Sequence, residues 1–213
     1  GSIAAWQEAS VGTEANGLRL AEIRAGIGDV VRAGQVLAPF SSESVQADLA
    51  LARANLLEAQ ADEWAALLTR EEGKTQLEAQ REVVRSVELL RYFAGEAWRV
   101  GGDMLPADTP NTLLYSLRVP LGVCAIITPW NFPLSIPVWK IAPALVMGNT
   151  VVFKPASATP IMAIKLTALL HEAGLPGGVL NIVTGAGGAL GDALVTDAGV
   201  DAVSFTGSYA VGQ

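Results

Sequence analysis

From residue 122 to residue 205, short β-branched runs and longer alanine- and leucine-rich runs alternate without a break. "GVCAII" (122–127), "TVVFK" (150–154), "GVLNIV" (178–183) and "DAVSF" (201–205) read as buried strands. "IPVWKIAPALVMG" (136–148), "PIMAIKLTALLHEAG" (160–174) and "GALGDALVTD" (188–197) read as the helices between them. Gly148 and Gly174 stand where the first two helices should stop. Strict alternation leaves one economical solution, a parallel sheet joined by right-handed helical crossovers. The expected fold class is therefore α/β, a doubly wound parallel sheet, with helices and a small β unit in front of it.

The helical segment covers residues 43–100, where Glu, Ala, Leu, Gln and Arg dominate and Gly73 is the main interruption. Val45, Leu49, Ala52, Leu56 and Ala59 keep a 4-3 spacing, as in a coiled-coil arm. The next position in that register is Glu63, and the apolar stripe resumes one residue late at Trp64 and Leu68. Either the buried face of one helix drifts, or two unlike sequences join there. Residues 1–41 carry short apolar runs broken by glycine, and Val30, Val31, Val36 and Leu37 around Gly34 suggest two short strands and a turn.

Composition excludes several classes of function. The net charge is −7 over 213 residues and neither end is basic, which argues against nucleic acid as a partner. One cysteine, Cys124, and one histidine, His171, leave no disulfide and no cysteine- or histidine-rich metal site. No signal peptide is visible at the start. Residues 119–139 are uncharged, yet Pro120, Pro129, Pro133 and Pro137 argue against a membrane-spanning helix.

Chemistry is expected after the strands. "TPWNFP" (128–133) sets one amide, Asn131, between two prolines that fix the backbone. Lys154 ends a strand, where ligands of open α/β sheets sit. It is either a ligand-directed ammonium or a surface lysine with a buried stem. Thr206-Gly207-Ser208 follows another strand and should open a helix, suiting either a pyrophosphate or a plain cap. No acidic residue occurs between Thr109 and His171, which suits an anionic ligand or simply a buried sheet. "GAGGALG" (185–191) misses the dinucleotide fingerprint by one residue, and "EGKT" (72–75) lacks the first glycine of a phosphate loop because Leu68 stands there. Cys124 lies inside an apolar strand and reads as a packing thiol.

Taken in order, "PLGVCAIITPWNFPLSIPVWKIAPALVMGNTVVFKPASATP", "AGLPGGVLNIVTG" and "VSFTGS" resemble the aldehyde dehydrogenase superfamily over residues 53–213. The resemblance implies an NAD(P)-binding domain and NAD- or NADP-dependent oxidation of a small aldehyde to a carboxylic acid. It makes Asn131 the oxyanion-hole amide. It places the backbone of Thr128 and Trp130 beside the nicotinamide, and Lys154, Pro155, Ala156 and Ser157 at the adenosine ribose. It places Gly207 and Ser208 at the pyrophosphate, Val211 beside them, and Gly187 on the adenine side. It also puts the nucleophilic cysteine and the "ELGGK"-type glutamate beyond Gln213, so the chain is expected to be inactive alone. Residues 1–52, with "GDVVRAGQVL" at the barrel turn, resemble the lipoyl-like half-barrel and the start of the helical arm of periplasmic efflux-pump adaptors. The whole then reads as a chimera or truncated product, and a non-enzymatic adaptor-like module is the alternative function. A cytoplasmic location follows from the first resemblance and a periplasmic one from the second. Self-association through exposed apolar surface is expected.

Overall fold

The computed structural model describes Arg32 and residues 43–109 and 112–212. The chain divides into two units, Gly1–Ser44 and Val45–Gln213. The strand pair expected around Gly34, and the N-terminal half-barrel, lie outside the described residues.

Three helices come first: α1 (Glu43–Ala59), α2 (Ala61–Glu72) and α3 (Gln76–Glu96). The single helical segment expected up to residue 100 is thus broken at Gln60 as well as at Gly73. The break explains the slipped register, and it corrects the expected apolar stripe. Ala52 and Ala59 are exposed, whereas Ala54 and Leu57 are buried, followed by Trp64, Ala65 and Leu68 on α2. Changing direction at Gln60 lets the indole of Trp64 turn into the core, with its Nε1–H donating to Gln60 Oε1 at 3.1 Å. Gly73 ends α2 at φ +92°, a conformation that favours glycine. Thr75 and Glu78 then open α3 with a reciprocal capping box.

A short antiparallel pair follows, β1 (Met104–Leu105) with β2 (Leu114–Tyr115), all four side chains exposed. The remainder is β3 (Val123–Ile127), α4 (Ser135–Val146), β4 (Thr150–Lys154), α5 (Pro160–Glu172), β5 (Leu180–Ile182), α6 (Gly187–Thr196), β6 (Ala202–Phe205) and α7 (Tyr209–Gly212). The four strands pair in parallel in the order β5-β4-β3-β6. The chain therefore steps outward twice, from β3 to β4 to β5, and then crosses back to the far side of β3. Right-handed crossovers put α4 and α5 on one face and α6 on the other, which is the doubly wound arrangement. Gly148 (φ +82°) and Gly174 (φ +97°) terminate α4 and α5 where the sequence places them. Phe153, Ile126, Met162, Leu166 and Leu180 form the core against the sheet.

The helical layer does more than cover this core. Neither α4 nor α5 has a capping side chain at its own start. Glu71 of α2 instead accepts from the first amides of α5, Ile161 N at 2.6 Å and Met162 N at 2.8 Å. Glu82 of α3 accepts from Leu134 N at 2.9 Å and Ser135 N at 3.0 Å at the start of α4. Carboxylates favour helix N-termini because those amides lack partners and carry partial positive charge. Glu71→Ala is expected to cost about 1 kcal/mol or somewhat more in urea unfolding, the usual size of a lost cap.

One feature opposes stability. Arg53 on α1 is only 5% exposed, and its Nε and Nη2 have no partner. Burial pushes its guanidinium down to about 10. An unpaired buried charge is worse than an apolar side chain of similar volume. Arg53→Met should therefore raise the urea midpoint, corresponding to about 1 kcal/mol of added stability; an unchanged or lower midpoint would contradict the assignment.

Candidate functional site

The topology selects the place. In an open α/β sheet the crevice lies beyond the carboxyl ends of the strands, where the strand order reverses. Here the reversal falls between β3, which leads to β4, and β6, which is reached from β5. "TPWNFP" leaves β3 at that edge, and Thr206-Gly207-Ser208 leaves β6 beside it, with Thr206 N donating to Ile127 O at 3.0 Å. Lys154 ends β4 on the other side of β3, and Thr128 N donates to Lys154 O at 3.2 Å. Residues distant in sequence, Thr128, Lys154 and Thr206, thus meet at one edge of the sheet.

The turn after β3 has a buried root and an exposed tip. Thr128 is buried, and its Oγ1 has no partner. Trp130 is 57% exposed, and Asn131 and Phe132 are exposed as well. The tip of the turn that the sequence sets between two prolines therefore lies at the surface, and Asn131 is exposed on it. The Asn131 carbonyl accepts from Lys74 Nζ at 3.0 Å.

Lys154 is 5% exposed, which removes the surface-lysine reading. Its Nζ donates to the Pro155 carbonyl at 3.2 Å and meets no carboxylate. Pro155 is buried, Ala156 half-buried and Ser157 exposed. Ser157 Oγ donates to Gly185 O at 2.7 Å, tying this loop to the glycine-rich segment before α6. Gly187 is the first residue of α6, and a Cβ there would meet nothing within 4 Å, so the space beside it is open. A Cβ on Gly207 would approach Phe205 Cζ to 2.4 Å, so a side chain there would force the Phe205 ring to move. Ser208 precedes α7, and Val211 lies on it, 72% exposed.

The acid-free stretch takes on a different meaning in three dimensions. The starts of α4 and α5 already face Glu82 and Glu71, carboxylates supplied from outside that stretch. Its cations are not equally compensated. Lys165 pairs with Glu63 at 2.5 Å, whereas Lys140 donates to Ser204 Oγ at 2.8 Å, and burial pushes its ammonium below the usual lysine range.

Sequence reasoning passed over Lys74 and Glu82. Lys74 belongs to the "EGKT" that fails as a phosphate loop. Glu82 had a signal, because it lies on the buried stripe of α3 with Ala79, Val83, Ser86 and Val87. A carboxylate on an apolar face must have partners.

Comparison with known proteins gives the family and the fold. The Aldehyde dehydrogenase family profile matches residues 41–213. The chain belongs to the aldehyde dehydrogenase family. It is 53% identical over 158 residues to the 2,5-dioxopentanoate dehydrogenase of Saccharolobus solfataricus, covering 74% of this chain and 33% of that protein. It is 51% identical over 160 residues to the alpha-ketoglutaric semialdehyde dehydrogenase of Bacillus subtilis, covering 75% and 33%. Betaine aldehyde dehydrogenase of Staphylococcus aureus, solved in complex with NAD+, superposes with a TM-score of 0.78 at 36% identity, over 81% of this chain and 34% of that one. The chain thus spans about a third of the length of the curated relatives it matches. Among the described residues, no helix is long and apolar enough to cross a membrane.

Cys124 sits toward the opposite end of β3 from the turn. It is buried, and burial followed by the Asp201 carboxylate pushes its thiol up. Four residue steps of extended chain, about 13 Å, separate it from Thr128. A protonated, enclosed thiol is a poor nucleophile. Labelling by a disulfide reagent at pH 8 should be slow in the native 213-residue chain and at least about a hundredfold faster in urea. Rapid native labelling would show that the thiol is accessible.

Proposed function

We propose that residues 53–213 form the nicotinamide-dinucleotide-binding part of an enzyme that oxidises a small aldehyde to a carboxylic acid. The observation that carries this reading is Lys154. Its ammonium is buried at the carboxyl edge of the sheet with one backbone carbonyl as partner, and Thr128, whose backbone bonds to that of Lys154, has an unpartnered buried hydroxyl. Ribose hydroxyls or a phosphate supply the acceptors that such a group lacks, so the residues fit NAD or NADP. When bound, the dinucleotide supplies the hydride acceptor.

The roles follow position. Lys154, Pro155, Ala156 and Ser157 hold the adenosine ribose. Gly187 leaves room for the adenine side. Gly207, Ser208 and Val211 flank the pyrophosphate. The backbone of Thr128 and Trp130 faces the nicotinamide end. The exposed Asn131 amide donates to the aldehyde oxygen as negative charge develops there, an effect of roughly 3–4 kcal/mol for a fixed donor. The S. aureus neighbour with NAD+ bound supports the cofactor class.

Ser157 is neutral and already donates to Gly185 O, so no carboxylate stands at this position to repel a 2′-phosphate. Titration calorimetry should find NAD and NADP within about tenfold of one another, 1.4 kcal/mol. Lys154→Ala should weaken both by about tenfold or more. Binding unaffected by that variant would refute the reading.

Covalent aldehyde oxidation needs an accessible thiolate. The single cysteine of the 213 residues is the buried Cys124. The 213-residue polypeptide is therefore expected to produce no NADH from short aldehydes. Turnover that disappears in Cys124→Ala would overturn this.

Two further proposals concern the β1–β2 pair and the N-terminal residues. The exposed side chains of Met104, Leu105, Leu114 and Tyr115 support self-association through the β1–β2 pair. For residues 1–52 a half-barrel leading into the start of a helical arm, as in efflux adaptors, is retained as a proposal; "GDVVRAGQVL" supports the half-barrel part, and α1 already begins at Glu43.

A further inference from the structure

Behind the exposed face of the "TPWNFP" turn lies a buried ion pair that the nucleotide reading does not use. Lys74 Nζ approaches Glu82 Oε2 at 2.5 Å and Glu72 Oε2 at 3.5 Å. The Lys74 and Glu82 side chains are 8% and 1% exposed. Lys74 also donates to the Asn131 carbonyl at 3.0 Å and stands 4.5 Å from the centre of the Phe132 ring. The other oxygen of Glu82 accepts from Leu134 N and Ser135 N.

Together these contacts hold the backbone of the turn from behind. The Asn131 carbonyl goes to Lys74, and the Leu134 and Ser135 amides go to Glu82. Pro133 has no amide, and the Phe132 carbonyl accepts from Ile136 N. Asn131 itself is exposed. A buried ion pair is a poor source of stability, since apolar residues of the same volume do as well or better. What it does supply is a fixed position for the groups it binds.

We propose that Lys74 and Glu82 are positioning residues for the Thr128–Pro133 turn. They set where the Asn131 amide and the Thr128 and Trp130 backbone stand. The proposal rests on the reading of that turn as the nicotinamide-side wall.

The test compares NAD with ADP-ribose on the 213-residue chain, since the two share the adenosine and pyrophosphate and differ at the nicotinamide end. Hydrogen–deuterium exchange is followed in parallel for peptides covering 128–136 and 150–165. Lys74→Met should weaken NAD by about fivefold or more and leave ADP-ribose within about twofold. Exchange should accelerate in 128–136 and stay unchanged in 150–165. Lys74→Arg, which keeps the cation, should restore both. Glu82→Gln keeps an acceptor for the Leu134 and Ser135 amides but removes the charge opposite Lys74. It should show the same pattern in weaker form, and it takes the place of Lys74→Met if that variant does not fold. Equal losses of NAD and ADP-ribose, or an unchanged ratio between them, would mean a merely structural pair and would overturn the proposal. If the parent chain binds neither nucleotide, the cofactor reading fails. Exchange then decides the positioning role alone: acceleration confined to the turn supports it, and none refutes it.

Discussion

The carboxylate of Glu82 is the point on which the architecture turns. It is buried on α3, where a charge is costly unless every oxygen is used. Both of its oxygens are used, one by the Leu134 and Ser135 amides and one by Lys74. This single group caps α4, fixes the exit from β3 and bonds the helical layer to the sheet. Removing one partner of such a set leaves a buried charge uncompensated, and that typically costs about 3–5 kcal/mol. The second link, from Glu71 to the start of α5, repeats the device one helix further along.

These two contacts change what the helices before residue 100 are for. They do not form an independent arm beside a nucleotide-binding fold. Trp64, Leu68, Val83, Val87 and Leu90 belong to the same core as Ile126, Phe153 and Leu166. Lys165 reinforces the packing of α2 on α5, pairing with Glu63 and lying 4.7 Å from the Trp64 ring centre. The break at Gln60 serves the same end, because it turns Trp64 inward.

The electrostatics of the site follow from this arrangement. With the starts of α4 and α5 neutralised from outside, the cations left at the sheet without a carboxylate are Lys154 and Lys140, among the described residues. Both are held by a neutral oxygen. An ammonium in that state, buried for Lys154 and half-buried for Lys140, favours an incoming group rich in acceptors. The chain as a whole is acidic, so this local excess of positive charge marks the carboxyl edge of the sheet from its surroundings.

Much of the fold was legible beforehand, and the reason is periodicity. Strand and helix alternate after residue 122 because each element must bury one face, and Gly148 and Gly174 end helices because their backbone turns left-handed there. The positions of Asn131, Lys154 and Gly207 at strand ends were legible for the same reason, since a parallel sheet brings all its carboxyl ends to one edge. Local pattern could not show which strand neighbours which. The order β5-β4-β3-β6 puts Thr206 beside Ile127 across 79 residues of sequence, and only packing in space decides that. Nor could it assign Glu71 and Glu82 to the starts of α5 and α4, or bury Lys154. A side chain's spacing along its own helix fixes the face it occupies, but its partner comes from another element, and that pairing exists only once the chain has folded.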